Sequence, residues 1–445
     1  MKNTQAKAID SLANALNDAR IRYIAENNQS RLADKDAERY LPGGNTRTVL
    51  HYDPFPLTMV QGEGAELTDL DGHLYVDCVG EFSAGMFGHS DQKIKAAIHK
   101  ALDLGIAMGA PTANERKLAG ILCERFPSIE RLRFCNSGTE ANIMALSIAR
   151  VVTGREKILA FNGAYHGGVI NFPAGGSPLN LPFDILLSDY NDIEGTEKLI
   201  RQHGKELAAV IVEPILGAGG NIPGNSEFLK MLQHESKQVD ALFILDEVKT
   251  GRIGESGMQG MLGITPDMTT LGKIIGGGMP TGAFGGKAEI MNHFDPKKKD
   301  YWKHAGTFNN NACSMAAGCV AMRDIFTQAK AREFLKSSEA FRLSLNAMFK
   351  KKKVPMYCNG LGSIFAVHFT NEPIEKVSDI SINGRALGPL LHMEMLLEGV
   401  LICSRGDIFL SLPMNVTHFN KIRLALESFV DRYKPLIIHE LAKDS

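Results

Sequence analysis

Phe243-Ile244-Leu245-Asp246-Glu247 is followed, 27 positions on from Asp246, by Lys273 in Leu271-Gly272-Lys273-Ile274-Ile275-Gly276-Gly277-Gly278. The first stretch is short and continuously apolar until it ends on two acids, the pattern of a strand buried on both faces. Working outward, residues 131–135, 157–161 and 208–212 have the same character as 241–245, and amphipathic helical stretches separate them. That alternation predicts an α/β fold, a mostly parallel sheet with helices on both faces. Ligands of such sheets bind beyond the carboxyl ends of the strands. Asn136-Ser137-Gly138-Thr139, Glu213 and Asp246 all fall at those ends, so they are expected to meet at one edge.

The rest of the chain frames this core. Its 445 residues suggest two or three domains. Ile9, Leu12, Leu16, Ala19 and Tyr23 recur at helical spacing and predict an N-terminal amphipathic helix rather than a signal segment. Leu41-Pro42-Gly43-Gly44-Asn45-Thr46-Arg47 reads as a loop, and residues 66–69 and 74–79 as a hairpin turning at Asp71-Gly72. From about residue 325 the chain turns helical and charged, with a strand candidate at 363–369 and a further stretch at 400–412 that carries Arg405. The expected division is an N-terminal helix and hairpin segment (1–85), a large domain (86–330) and a small C-terminal α+β domain (331–445).

Composition excludes several classes of function. Hydrophobic residues make up 44% and charged residues 22%, ordinary for a globular protein. A net charge of −1 gives no electrostatic reason to expect a nucleic acid or an anionic membrane, and the lysine run 350–353 reads as a solvated helix end. The seven cysteines form no CxxC pair and no zinc spacing, so reduced thiols and a cytoplasmic setting are expected, with no metal. No apolar run approaches the ~20 residues that span a bilayer.

Each motif has a functional and a plain reading. Ser137-Gly138-Thr139-Glu140 opens a helix, whose free N–H groups suit a phosphate; Ser137 with Glu140 equally satisfies a capping box. Asp246 ends an apolar run, where an unpaired carboxylate is costly and a protonated pyridine nitrogen is a natural partner; it is otherwise a surface acid. Lys273 among glycines is neither a P-loop lysine nor part of a GxGxxG fingerprint, and alone it would be a surface residue. Tyr165 can stack on a planar ring or be an ordinary loop tyrosine. Gly306-Thr307 offers a further hydroxyl and N–H. A lysine, an acid and a phosphate cup together are what pyridoxal phosphate (PLP) needs, since its aldehyde takes up amines as Schiff bases.

From Pro42 onward the chain resembles the class III aminotransferases of PLP fold type I. The resemblance rests on Asn136-Ser137-Gly138-Thr139-Glu140-Ala141, Tyr165-His166-Gly167, Val212-Glu213-Pro214, Leu245-Asp246-Glu247-Val248, the Lys273 stretch and Gly306-Thr307. It implies that Lys273 bonds to PLP and Asp246 pairs with the pyridine nitrogen. It also implies that Ser137, Gly138 and Thr139 hold the phosphate, that Tyr165 stacks on the ring and Val248 packs the opposite face, with Glu213 at the cofactor. Thr307 would reach the phosphate of a neighbouring subunit, which implies a homodimer with shared active sites.

Within the class, the chain resembles the branch of glutamate-1-semialdehyde aminomutases and β-amino acid aminotransferases. Lys249-Thr250-Gly251-Arg252-Ile253 and Cys403-Ser404-Arg405-Gly406-Asp407 depart from the usual aminomutase segments. Residues 42–50 and Glu81-Phe82-Ser83-Ala84-Gly85 are closer to the β-amino acid enzymes. That resemblance implies Arg47 and Arg405 as carboxylate ligands, which could otherwise be interface or surface ion pairs; Phe82, Met86 and Phe87 could line the substrate pocket or equally belong to the core. The expected activity is ping-pong transfer of an amino group from a β-phenylalanine-like amino acid to 2-oxoglutarate. The alternative is intramolecular transfer of the aminomutase kind.

Overall fold

A computed structural model of the chain describes residues 11–444. Its centre is a seven-stranded sheet. In chain order the strands are β1 (Arg131–Cys135), β2 (Lys157–Phe161), β3 (Asp184–Ser188), β4 (Leu207–Val212), β5 (Leu242–Asp246), β6 (Met268–Gly272) and β7 (Gly282–Gly286). Across the sheet they lie β1-β7-β6-β5-β4-β2-β3. All neighbours are parallel except β7, which runs antiparallel to both β6 and β1.

Every residue of β4, β6 and β7 is buried, so both faces of the central sheet are covered. The helix Gly138–Thr153 lies on it through small side chains, Ala141, Ala145 and Ala149, each fully buried. Phe228, Leu229 and Leu232 of the helix Ser226–Gln238 join the same core.

Three strands were missing from the sequence expectation. β6 and β7 contain Thr269-Thr270 and Gly282-Ala283-Phe284-Gly285-Gly286, which do not read as apolar strands. The threonines are tolerated because their hydroxyls are bonded: Thr269 Oγ1 lies 2.8 Å from Ser128 Oγ, and Thr270 Oγ1 donates to Asn142 Oδ1 at 2.6 Å. In β7 a Cβ on Gly282 would stand 2.2 Å from the Ser137 carbonyl oxygen, so close approach to the preceding turn requires glycine. β3 is half-buried at the sheet edge and ends on Ser188.

The chain ends meet in smaller sheets. The expected hairpin pairs Glu66–Asp69 with Leu74–Asp77, extended by Met59–Glu63 on one side. On the other side Leu74–Asp77 pairs in parallel with Val400–Leu401. Tyr357–Leu361, Ile364–His368 and Asp407–Phe409 form an antiparallel sheet. The stretch 400–412 is therefore not one strand: it contributes to two sheets, with Arg405 on the turn between them. The N-terminal helix spans Leu12–Glu26 and buries Ala15, Ala19 and Tyr23 against the helix Ile382–Leu397, while Ile9 lies outside the described residues. The lysine run closes the helix Gln328–Lys352. All seven cysteines are free. Among the described residues, no helix is long and apolar enough to cross a membrane.

Candidate active site

The carboxyl ends of β1, β2, β4, β5 and β6 place Ser137, Tyr165, Glu213, Asp246 and Lys273 along one edge of the sheet. Lys273 follows β6 directly and takes φ = 52°, a left-handed conformation that costs a non-glycine residue about 1–2 kcal/mol. Such strain persists where the surroundings over-determine it, most often at functional sites. Burial lowers the pKa of the Lys273 amine; the Asp246 and Glu213 carboxylates oppose the shift and Arg47 assists it.

Asp246 ends β5 and is buried. Its Oδ2 accepts from Asn142 Nδ2 and from His166 Nδ1, each at 2.8 Å, and its Oδ1 accepts from the Val248 N–H at 3.0 Å. A carboxylate has about four acceptor positions, so one stays open. Glu247, the residue just after the strand, instead accepts from the Met258 and Gln259 N–H groups at 3.1 and 2.8 Å. The paired acids thus have separate surroundings.

Ser137 caps the helix Gly138–Thr153, its hydroxyl accepting from the Glu140 N–H at 3.2 Å, while the Glu140 carboxylate accepts from the Asn136 N–H at 2.9 Å. Ser137 is thus the N-cap, but the reciprocal capping box does not form, because Glu140 reaches the Asn136 N–H instead of that of Ser137, and the Gly138 and Thr139 N–H groups are left without intrahelical partners. A Cβ on Gly138 would fall 2.6 Å from Val248 Cγ1, and one on Gly272 would fall 3.3 Å from the Gly138 nitrogen. A Cβ on Gly167 would reach within 2.5 Å of Thr139 Oγ1. These glycines let four separate turns close on one another around the helix start.

Glu213 accepts from the Tyr165 N–H at 2.8 Å and from the Gly217 N–H at 3.1 Å, and burial raises its pKa. Its carboxylate thereby fixes the backbone of Tyr165, a residue 45% exposed. Thr307 is exposed, on a loop tied to the site through Asn309, whose Oδ1 accepts from Asn136 Nδ2 at 3.0 Å.

The two arginines come from opposite ends of the chain. Arg47 forms an ion pair with Glu81, and its guanidinium lies 5.1 Å from the centre of the Phe82 ring. Arg405 donates from Nε to Asp407 Oδ2 at 3.3 Å, and that carboxylate raises its pKa. Of the three aromatic or sulfur side chains considered for the pocket, Phe82 is half-buried beside Arg47, whereas Met86 and Phe87 belong to the hydrophobic core.

Several supporting residues escaped sequence reasoning. Asn142, His166 and Thr270 form the network behind Asp246. Asn142 left a signal: it is the one carboxamide after Ala141 on a helix face otherwise built from alanine and leucine. Lys249, half-buried, donates to Asn221 Oδ1, and Asn221 Nδ2 donates to Asp407 Oδ1 at 2.6 Å. Nothing local in the sequence marks that chain.

A sheet of this order with a lysine after β6 and a buried acid ending β5 defines a PLP enzyme of fold type I. The glycine cradle at the helix start and the open acceptor position on Asp246 suit the cofactor's phosphate and its pyridine nitrogen. The family model of class-III aminotransferases matches residues 49–432. The chain belongs to that family and is a PLP-dependent aminotransferase.

It is 44% identical over 423 residues to the β-phenylalanine transaminase of Variovorax paradoxus, covering 95% of this chain and 97% of that one. A crystal structure of the β-phenylalanine aminotransferase from that organism superposes with a TM-score of 0.94 at 43% identity, over 96% of this chain and 99% of the other. A glutamate-1-semialdehyde 2,1-aminomutase of Nitratidesulfovibrio vulgaris is 38% identical over 384 residues, covering 82% of this chain and 90% of its own.

Proposed function

We propose that this aminotransferase moves the amino group of a β-amino acid of the β-phenylalanine kind to 2-oxoglutarate, in two alternating half-reactions. The observation that carries this reading is a pair of arginines brought from opposite ends of the chain, Arg47 beside the Phe82 ring and Arg405 on the buried Asp407. A donor and an acceptor with different carboxylate positions need two such ligands, and a guanidinium can hold a carboxylate in a bidentate pair. Phe82, beside Arg47, supplies an aromatic wall for the donor's ring.

When bound, pyridoxal phosphate supplies an aldehyde that takes up amines and a cationic ring that withdraws electrons. Asp246 holds that ring cationic through its open acceptor position, with Asn142 and His166 fixing the carboxylate. Ser137, Gly138 and Thr139 bind the phosphate at the helix start. Tyr165, whose backbone Glu213 anchors, would stack on the ring, and Val248 would pack against it. Lys273 Nζ would be the base that removes the proton from the amine-bearing carbon of the substrate and holds it for return. Burial keeps a larger fraction of this amine neutral, and so able to accept a proton, than in an exposed lysine. Thr307 of a neighbouring copy completes the phosphate site, which makes the working unit a homodimer.

The test mixes holoenzyme with racemic β-phenylalanine in the absence of any keto acid. The absorbance of the bound cofactor should change, and adding 2-oxoglutarate should restore it while glutamate forms. No change removes β-phenylalanine as donor. Net isomerisation of glutamate semialdehyde without an external keto acid would favour the intramolecular reading.

A further inference from the structure

Both arginines carry a carboxylate of the protein itself, and the two carboxylates differ in kind. Asp407, on Arg405, has a side chain 3% exposed, and Asn221 Nδ2 donates to its other oxygen at 2.6 Å with Lys249 behind. It is fixed. Glu81, on Arg47, has a side chain 63% exposed and no such backing. It is free to swing.

The backbone beneath Glu81 is not. Gly80, Glu81, Phe82 and Ser83 take φ of 49°, 49°, 51° and 80°, a left-handed turn with only one glycine. Non-glycine residues hold this conformation only where neighbours enforce it. Here Asp77 Oδ1 accepts from the Val79 and Gly80 N–H groups at 2.8 and 2.9 Å, and Gly85 N–H closes on the Gly80 carbonyl at 2.7 Å. Arg252, buried, donates from Nη1 to the Ser83 carbonyl at 2.8 Å and from Nε to Ser363 Oγ at 3.1 Å. The strained turn therefore sets Glu81 and Phe82 against Arg47 on a backbone held from several sides, with the Glu81 side chain exposed.

We propose that Glu81 is a displaceable internal carboxylate that competes with the substrate's carboxylate for Arg47. The inference rests on the reading of Arg47 as a carboxylate ligand. With the site empty, Glu81 neutralises Arg47; an incoming carboxylate takes its place while Phe82 stays over the guanidinium. Arg405 has no equivalent, since Asp407 cannot leave. The two ligands then differ in selectivity: Arg405 is constantly available, and Arg47 engages only a carboxylate that outcompetes Glu81.

The experiment is a calorimetric titration of holoenzyme with 3-phenylpropanoate, a carboxylate without an amine, for the wild type, Glu81→Gln, Glu81→Asp and Arg47→Gln. Exposed ion pairs are weak, so Glu81→Gln should bind the probe about two- to fivefold more tightly. Glu81→Asp, one methylene shorter on the same rigid turn, should also bind more tightly than the wild type. Arg47→Gln should bind more weakly. Equal or weaker binding by Glu81→Gln, with Arg47→Gln impaired, overturns the competitor role and keeps Arg47 as a ligand. Unchanged binding by Arg47→Gln overturns the reading of Arg47 and the proposal with it. A merely supporting glutamate would weaken binding when replaced, so the direction of the change separates the two.

Discussion

Asp246 and Asn142, from β5 and the helix Gly138–Thr153, meet through a 2.8 Å hydrogen bond to the same carboxylate oxygen that His166 binds. Asn142 is itself held by Thr270 at 2.6 Å, so the acid, the helix and β6 are tied together. A hydrogen bond to a charged group contributes about 1.5–3 kcal/mol. Asn142→Ala should therefore weaken cofactor binding by about tenfold or more. Spectroscopic titration of apoenzyme with PLP measures it, and an unchanged affinity would show that the network does not orient Asp246.

Lys273→Ala should lose at least about a thousandfold in turnover, within the range that positioned proton transfer contributes. The phosphate and ring contacts remain, so the cofactor should still be retained after gel filtration. Turnover near that of the wild type would remove Lys273 from its assigned role.

The glycine cradle can be probed by a cycle of substitutions. Gly138→Ala places a Cβ 2.6 Å from Val248 Cγ1 and should destabilise the holoenzyme by about 1–3 kcal/mol. Val248→Ala removes the obstructing methyls, so the double variant should recover part of that loss. Additive effects in thermal melts would mean that the two residues do not touch.

Lys249 gives a pH prediction. Burial lowers its amine to about 8, despite Asp407 and Glu213, with Lys273 and Arg405 adding to the shift. An unfolded lysine titrates near about 10.4. Between those values the unfolded chain holds the extra proton, so stability rises with pH across the window. This contribution is fully present above the unfolded value and is lost as pH falls through the folded one. The melting temperature of the wild type relative to Lys249→Met should accordingly climb over that window and level off below it. A flat difference would contradict a depressed amine.

The α/β core was legible because a strand buried on both faces must be apolar along its length, as β2, β4 and β5 largely are; the edge strand β1 carries two arginines and is buried only at Phe134 and Cys135. Their ends marked Ser137, Tyr165, Glu213 and Asp246 for the same reason: chemistry-bearing side chains sit where the apolar run stops. β6 and β7 escaped because their fitness depends on partners elsewhere, the Ser128 and Asn142 side chains for the threonines and the Ser137 carbonyl for Gly282.

Local pattern thus sufficed for the strands, the capped helix after β1 and the residue types of the site. Tertiary structure alone decided that Arg47 and Arg405, 358 positions apart, would each receive a carboxylate, one exposed and one enclosed. The parallel pairing of Leu74–Asp77 with Val400–Leu401 belongs to the same level. Hydrophobic periodicity reports which face of an element is buried. It carries no information on which distant element covers that face, and the exposure of Glu81 and the enclosure of Asp407 are set by that choice.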